Sequence, residues 1–153
     1  MEVSLRRVAA LIVIGSMAAV GLAIAQDRLP ISTNGSDPAT WKPAQDALKA
    51  APKNHVVIFE NDDIRVISVT VQAGETETHH HHRWPSVMVV DRLVKLADFD
   101  EAGKEIKLPF PEKPELPLIV RIPPQALHSA KNIDDKPFHA IRIEFKKGFP
   151  SKP

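Results

Sequence analysis

The sequence contains no cysteine among its 153 residues. A chain without cysteine forms no disulfide and cannot use a thiolate as a metal ligand or as a nucleophile. The sequence also has no cluster of basic residues, no glycine-rich phosphate loop and no serine, histidine and aspartate pattern of a hydrolase. Nucleic-acid binding, nucleotide binding and hydrolase chemistry therefore have no residues to support them.

The first 25 residues have the pattern of a secretory signal peptide. Arg6 and Arg7 form a short basic start, an uncharged apolar run covers residues 8–24, and residues 23–25 end it with Ala-Ile-Ala. An uncleaved membrane anchor is the alternative, because the run approaches the roughly 18 to 20 apolar residues that span a bilayer. We favour cleavage because of the small residues at the end of the run. We therefore expect a periplasmic or secreted protein that does not contact the membrane after the signal is removed.

Removal of residues 1–25 leaves a chain that is formally neutral. The removed segment holds Glu2, Arg6 and Arg7, so 18 basic and 18 acidic residues remain. The remaining 128 residues suit one domain with one core.

The pattern of apolar residues predicts an all-β domain. Strand patterns cover residues 55–59, 64–71, 86–96, 118–122 and 137–146. Residues 43–50 form a short helical candidate, residues 98–104 a hairpin turn, and residues 109–117 an extended proline-rich loop. We predict an N-terminal arm over 26–54, a β-barrel over 55–146 and a C-terminal tail over 147–153.

Four consecutive histidines, His79 to His82, are the most unusual feature of the sequence. Alternate side chains of a strand point to opposite faces, so His80 and His82 share one face while His79 and His81 share the other. Two imidazoles on one face can bind a single metal ion, but a stable site needs a third ligand. His128, after a Pro-Pro turn near a late strand, is the candidate. An exposed segment that collects metal adventitiously is the competing interpretation.

The spacing of these histidines resembles the two sequence motifs of the cupin superfamily, in particular its small single-domain bacterial members. Gly74 is followed by five residues and then by His80-His81-His82, as in the first motif. Residues 123–132, Pro-Pro-Gln-Ala-Leu-His-Ser-Ala-Lys-Asn, match the second motif at its proline, histidine and asparagine. The resemblance implies a double-stranded β-helix, or jelly roll, that holds a divalent first-row metal (iron, zinc, nickel or copper) on His80, His82 and His128.

Two positions depart from the cupin motifs. The glutamate of the first motif should fall at Ser86 or Val87, neither of which offers a carboxylate, and Gln125 replaces the glycine of the second motif. The resemblance therefore implies a neutral three-histidine site. Such a site has coordination positions open to water, dioxygen or an anionic substrate.

The remaining candidates are expected to have structural roles. Arg142 and Glu144 share one face of their strand and alternate with Ile141, Ile143 and Phe145. We favour a pairing of Arg142 and Glu144 at the surface, and the alternative is that they point into the cavity and anchor a carboxylate. His79 and His81 are expected to face solvent, and His55 and His139 to be ordinary histidines of the surface or core.

Two functions remain open from the sequence. An enzyme of this type would be an oxygenase or isomerase that acts on a small molecule, whereas the alternative is a non-catalytic barrel that binds a small ligand or a metal. Edge strands of the barrel are expected to be covered by the arm or paired in a homodimer.

Overall fold

Alternating buried and exposed residues build a sheet-rich fold in the computed structural model, which describes residues 35–108 and 114–150. The predicted signal segment 1–25 lies outside these residues, as do residues 26–34 of the predicted arm, 109–113 of the predicted loop and 151–153 of the tail. None of the helices in the described ranges is long and apolar enough to cross a membrane.

Nine strands lie within the described residues, and they form two antiparallel sheets. The strands are β1 (His55–Glu60), β2 (Ile64–Val71), β3 (His80–His82), β4 (Ser86–Arg92), β5 (Leu96–Asp100), β6 (Glu105–Ile106), β7 (Leu118–Ile122), β8 (Gln125–Asn132) and β9 (Phe138–Phe145). One sheet has the order β1-β2-β9-β4-β7 and the other has the order β3-β8-β5-β6. The predicted all-β class and the jelly-roll barrel are therefore confirmed.

The inward face of the larger sheet changes from charged to apolar along its length. Residue pairs that face each other across β2 and β9 run in order Arg65 with Glu144, Ile67 with Arg142, Val69 with Ala140, and Val71 with Phe138. All eight of these residues are buried. The apolar end, together with Val90 of β4, forms the hydrophobic core. The charged end is the part of the barrel that the histidine strand β3 approaches, because His82 contacts Glu144.

The arm contains three short helices, of which the last packs on strand β3. Two 3-10 helices cover Pro38–Thr40 and Pro43–Gln45, and α1 covers Ala47–Ala50. The predicted helix over residues 43–50 is thus interrupted at Asp46, whose side chain caps α1 by accepting from the Leu48 N–H. The backbone of Asp46 also forms an isolated β-bridge with His81 of β3, and its carboxylate forms an ion pair with Arg65 at 3.2 Å. The arm is therefore fastened directly to the strand that carries the histidines.

Two of the strand predictions were wrong in detail. The single strand predicted over residues 86–96 is two strands, because the pairing with β9 becomes irregular between Val90 and Arg92 and the chain leaves the sheet before β5 begins. The second error is β8, which continues from Gln125 to Asn132 where only its beginning near His128 was expected. Strand β8 carries the second motif and pairs with both β3 and β5.

A truncation in the core gives a test of this packing. Ile67 is fully buried in the core cluster, so Ile67→Ala should lower the free energy of unfolding by about 2 to 5 kcal/mol through lost burial and a residual cavity. Ile119 on β7 is 55% exposed, and Ile119→Ala should change that free energy by less than about 0.5 kcal/mol. Urea denaturation measures both. Equal losses of unfolding free energy in the two variants would contradict the burial of the Ile67 face of β2.

Candidate metal site in the barrel

The barrel encloses a cavity of about 70 Å³ whose lining is divided between polar and apolar side chains. The polar lining consists of His55, Glu77, His80, His82, Asp98, Gln125, His128 and Arg142. The apolar lining includes Val71, Val90 and Phe138 from the core end of the larger sheet. A cavity with titratable groups at one side and hydrocarbon at the other is the usual form of a small-ligand site.

Four histidines from three strands converge on this cavity. His80 of β3 and His128 of β8 are directly opposite each other in the strand pairing, and their ring centroids are 4.6 Å apart. His82, two residues further along β3, lies 5.1 Å from His80 and 5.7 Å from His128 by the same measure. His55, the first residue of β1, lies 4.5 Å from His80. His80, His82 and His128 therefore line one cavity together with His55.

The ring nitrogens of three of these histidines are close enough to share one ion. One ligand atom from each of His55, His80 and His82 lies within 4.8 Å of the others, and all three residues are buried. His55 was expected to be an ordinary histidine of the surface or core; it is buried at the cavity and belongs to this group, whereas His128 does not. The sequence neighbourhood of His55 contains no motif, and only the antiparallel pairing of β1 with β2 brings it to the cavity.

Each of the four rings contacts an oxygen through its Nδ1 atom, and the Nε2 atom of His55 also lies 3.8 Å from Glu77 Oε1. The Nδ1 atoms of His80 and His128 lie 2.8 Å from the carbonyl oxygens of Thr78 and Ala126, two residues before each histidine. His55 Nδ1 lies 3.2 Å from the Ala51 carbonyl oxygen, and His82 Nδ1 lies 2.8 Å from Glu144 Oε1. An Nδ1–H that donates to oxygen fixes the ring and its tautomer, which is how metal-binding histidines are usually oriented.

Burial keeps these histidines neutral, as metal binding requires. Burial and the nearby charge of Arg142 lower the pKa of His80 to about 4, with the Thr78 carbonyl opposing the shift. Burial and then the charge of His80 lower the pKa of His55 to about 3. The pKa values of His82 and His128 are also well below the usual range, again chiefly because of burial.

Glu144 stands at the centre of the charged end of the barrel. Its Oε2 accepts from Arg65 Nε at 2.6 Å, while its Oε1 lies 2.8 Å from His82 Nδ1 and 3.6 Å from Arg142 Nε. Burial raises the pKa of Glu144, and the charges of Arg142 and Arg65 act against that shift. The expectation that Arg142 and Glu144 pair at the surface was wrong, since both are buried inside the barrel.

Glu144 also lies beside the position where the first motif has its glutamate and this sequence has none. Ser86, one of the two positions where the motif glutamate was expected, is buried and lies directly opposite Glu144 in the pairing of β4 with β9. The carboxylate thus comes from the neighbouring strand. It contacts a histidine there, whereas the motif glutamate was expected as a metal ligand.

The other motif positions have clear structural roles. Gly74 adopts a backbone φ of +75°, a conformation that favours glycine, in the turn before β3. Gln125 is the first residue of β8, and its side-chain oxygen accepts from Arg142 Nη1. Asn132, fully buried, donates to the carbonyl oxygens of Val71 and Lys136 and so joins the ends of three strands.

The other two histidines of the run, His79 and His81, lie in different environments. His79 is exposed, as expected. His81 is buried under the arm, with Nε2 2.9 Å from the Lys42 carbonyl oxygen and its ring 5.1 Å from Trp41. The expectation that His81 faces solvent was therefore wrong, although it does point away from the cavity.

Comparison with known proteins supports the fold. Neither a protein-family model nor a curated protein sequence matches the chain. A crystal structure of a cupin domain from Bordetella pertussis is similar, with a TM-score of 0.51 and 20% identity over 60% of this chain and 91% of that one. An RmlC-like cupin from Methanocaldococcus jannaschii is similar over 61% of this chain and 81% of its own length, with a TM-score of 0.45 and 14% identity.

The nine strands, their order in two sheets and this similarity define the class: the chain has the double-stranded β-helix fold of the cupins. More particularly, its arrangement is that of a small cupin with a single barrel. The buried group of His55, His80 and His82 in that barrel fits the binding of a metal ion.

The shifted pKa values predict a stability maximum for the metal-free protein at about pH 6.5 to 7. His55 and His80 have folded-state pKa values of about 3 and 4 against an ordinary 6.5, so acid below about pH 6.5 protonates the unfolded chain first and destabilises the fold. Burial raises the pKa of Glu77 from 4.5 to about 8 and that of Asp98 from 3.8 to about 7. Their contributions are lost as pH rises through those values.

Urea denaturation of the metal-free protein from pH 5 to 8.5 measures this profile. Glu77→Gln should flatten the alkaline side and make the acid side steeper, because Glu77 in the wild type makes stability fall with pH over the whole range from 4.5 to about 8. A stability that increases steadily from pH 5 to 8.5 would contradict the predicted protonation of Glu77 and Asp98.

Proposed function

We propose that this protein is an exported cupin that binds one divalent first-row metal ion on His80, His82 and His128 and uses it to act on a small molecule. The observation that carries the proposal is the convergence of buried, neutral histidine rings whose Nδ1 atoms are all held by oxygen acceptors. Export is supported by the signal-like pattern of residues 1–25. Iron, zinc, nickel and copper all suit imidazole ligands.

The donor set fits a metal ion better than it fits a core of hydrogen bonds. Four imidazoles lie at one cavity, and each has one nitrogen engaged outside it. A neutral imidazole whose Nδ1 is engaged by an oxygen is the form that binds a metal ion through Nε2. His55 is therefore proposed as a fourth ligand, or as a residue that stabilises a ligand or water at the ion.

The chain's own residues would prepare the site in three ways. Glu144 orients His82 and keeps the Nδ1 proton on that ring, while the carbonyl oxygens of Thr78 and Ala126 do the same for His80 and His128. Apolar side chains such as Val71, Val90 and Phe138 exclude water from the other half of the cavity. A bound metal would supply Lewis-acid or redox chemistry, as an oxygenase or isomerase requires.

A non-catalytic barrel is the second candidate, and His55 is the observation that favours it. Zinc sites that are purely structural have four protein ligands, whereas catalytic sites keep a position open. If all four histidines bind a tetrahedral ion, no position remains for a substrate. The number of histidines that bind thus decides between the two functions.

We also propose that the protein pairs as a homodimer through strand β1. This strand is at the edge of the larger sheet, and its side chains Val56, Ile58 and Phe59 are each more than half exposed. An apolar edge strand of this kind is normally covered in a soluble protein.

Metal analysis of histidine variants tests the site. The double variant His80→Ala with His82→Ala should reduce bound metal from one equivalent to less than about a tenth, because only two of the four histidines remain and two hold an ion only loosely. His128→Ala leaves the group of His55, His80 and His82 intact, so the loss of metal expected in this variant would show that His128 is a ligand. His79→Ala is the matched control, since its side chain is the exposed neighbour in the same run. The protein should be produced without an affinity tag, and elemental analysis gives the metal content. Equal metal loss from His79→Ala would show that the run is only an exposed chelating segment.

Azide binding to the cobalt-substituted protein separates the two candidate functions. If the ion keeps an open position towards the cavity, azide should shift the visible absorption of the wild-type protein. A spectrum that azide changes only in His55→Ala would show that His55 closes the site, and it would favour the non-catalytic barrel.

A further inference from the structure

Arg142 has hydrogen-bonding capacity that the described residues do not use. Its side chain is only 1% exposed and lines the cavity. Nη1 donates to Gln125, but Nε and Nη2 have no hydrogen-bond partner within the described part of the chain. Unpaired donors of a buried guanidinium are costly, so their presence at a cavity points to a ligand that satisfies them.

Glu144 does not account for these donors. Its two oxygens are already engaged by Arg65 Nε at 2.6 Å and by His82 Nδ1 at 2.8 Å. Arg142 Nε is 3.6 Å from Glu144 Oε1, which is beyond a hydrogen bond. The pair is therefore an electrostatic contact in which Nε and Nη2 of Arg142 make no hydrogen bond to a described residue.

The charges around the cavity also favour an anion. Arg65 has Asp46 and Glu144 within 3.2 Å, whereas the nearest carboxylate to Arg142 is Glu144 at 3.6 Å. Glu77 and Asp98 also line the cavity, but burial raises their pKa values to about 8 and about 7, which favours their neutral forms. The four histidines bring no negative charge, and a divalent ion bound by them would add two positive charges. An anionic ligand beside Arg142 would reduce this excess.

We propose that Arg142 binds the carboxylate of a compact substrate through Nε and Nη2, with the apolar part of that substrate against Val71, Val90 and Phe138. The two nitrogens are on the same edge of the guanidinium and match the two oxygens of a carboxylate. This inference rests on the proposed function for the idea that the cavity receives a substrate. It adds the chemical class of that substrate.

The cavity limits the size of this substrate. Its volume of about 70 Å³ is less than half of the roughly 150 Å³ that admits benzene, so the inner chamber holds a carboxylate with a short chain, and the end of a probe as long as butyrate would extend out of it. Leu93, Leu96 and Leu108 line both this chamber and a wider outer groove. A longer chain would have to leave past these leucines.

Binding of short carboxylates and their neutral amides tests the proposal. The probes are acetate, butyrate and hexanoate with the matched amides, added to the full-length, untagged, zinc-loaded protein and followed by isothermal titration calorimetry. Butyrate should bind at least about tenfold more tightly than butyramide, because a charge-assisted pair is lost in the amide. Arg142→Gln should weaken butyrate binding at least about tenfold while one equivalent of zinc remains bound. Arg92→Gln, an exposed arginine of β4, is the matched control and should change neither value.

Two further measurements make the outcome of this experiment decisive. Arg142→Lys keeps the charge without the two-pronged geometry and should show intermediate affinity, which provides a second variant if Arg142→Gln does not fold. Full butyrate affinity in an arginine variant, or no preference for carboxylates in the wild type, would overturn the proposal even when zinc is bound. If the wild type binds no metal, the proposed function fails, and the same titration of the metal-free protein still tests Arg142 alone.

Discussion

The buried carboxylate of Glu144 is the constraint on which the charged end of the barrel depends. It joins strand β9 to β2 through Arg65, orients His82 of β3 and lies beside the partly unpaired Arg142. Burying a charge is unfavourable unless it is paired and hydrogen-bonded. Here the pairing comes from groups that also line the cavity or hold the arm. Removing this carboxylate would leave Arg65 with Asp46 alone and would release one histidine ring, so the fold and the site share one set of contacts.

The gradient along β2 and β9 explains how one barrel can have both a core and a polar site. The pairs change from Arg65 with Glu144 at one end to Val71 with Phe138 at the other. Hydrophobic burial at the apolar end offsets the cost of placing two arginines, a glutamate and four histidines inside the other. The proposed substrate would fit the same gradient, with its charged group and its hydrocarbon at opposite ends.

Much of the fold could be predicted from the two-residue period of the strands, and the bounds of β2 and β7 match the structure. The period alone does not say which face is inside. On β9, Ile141 and Ile143 alternate with Arg142 and Glu144, and the charged pair was expected at the surface. The structure buries Arg142 and Glu144 instead, because Gln125 and Arg65 provide them with partners inside the barrel. The motif spacing predicted a site on His80, His82 and His128, which all line the cavity. It could not identify His55, since only tertiary pairing brings the start of β1 to the cavity.

The attachment of the arm changes what counts as the smallest independent unit of this protein. A chain that began at residue 55 would keep every strand of the barrel, yet it would lose Asp46, the helix that follows it and the cover over His81. Arg65 would then retain only Glu144 as a charged partner, and the back of the histidine strand would be open to water. A domain boundary drawn at the first strand would therefore separate Asp46 from Arg65, whose ion pair supports the charged end of the barrel. The residues from at least Trp41 onward therefore form one structural unit, and a substitution in the arm would alter contacts of the strand that carries His80 and His82.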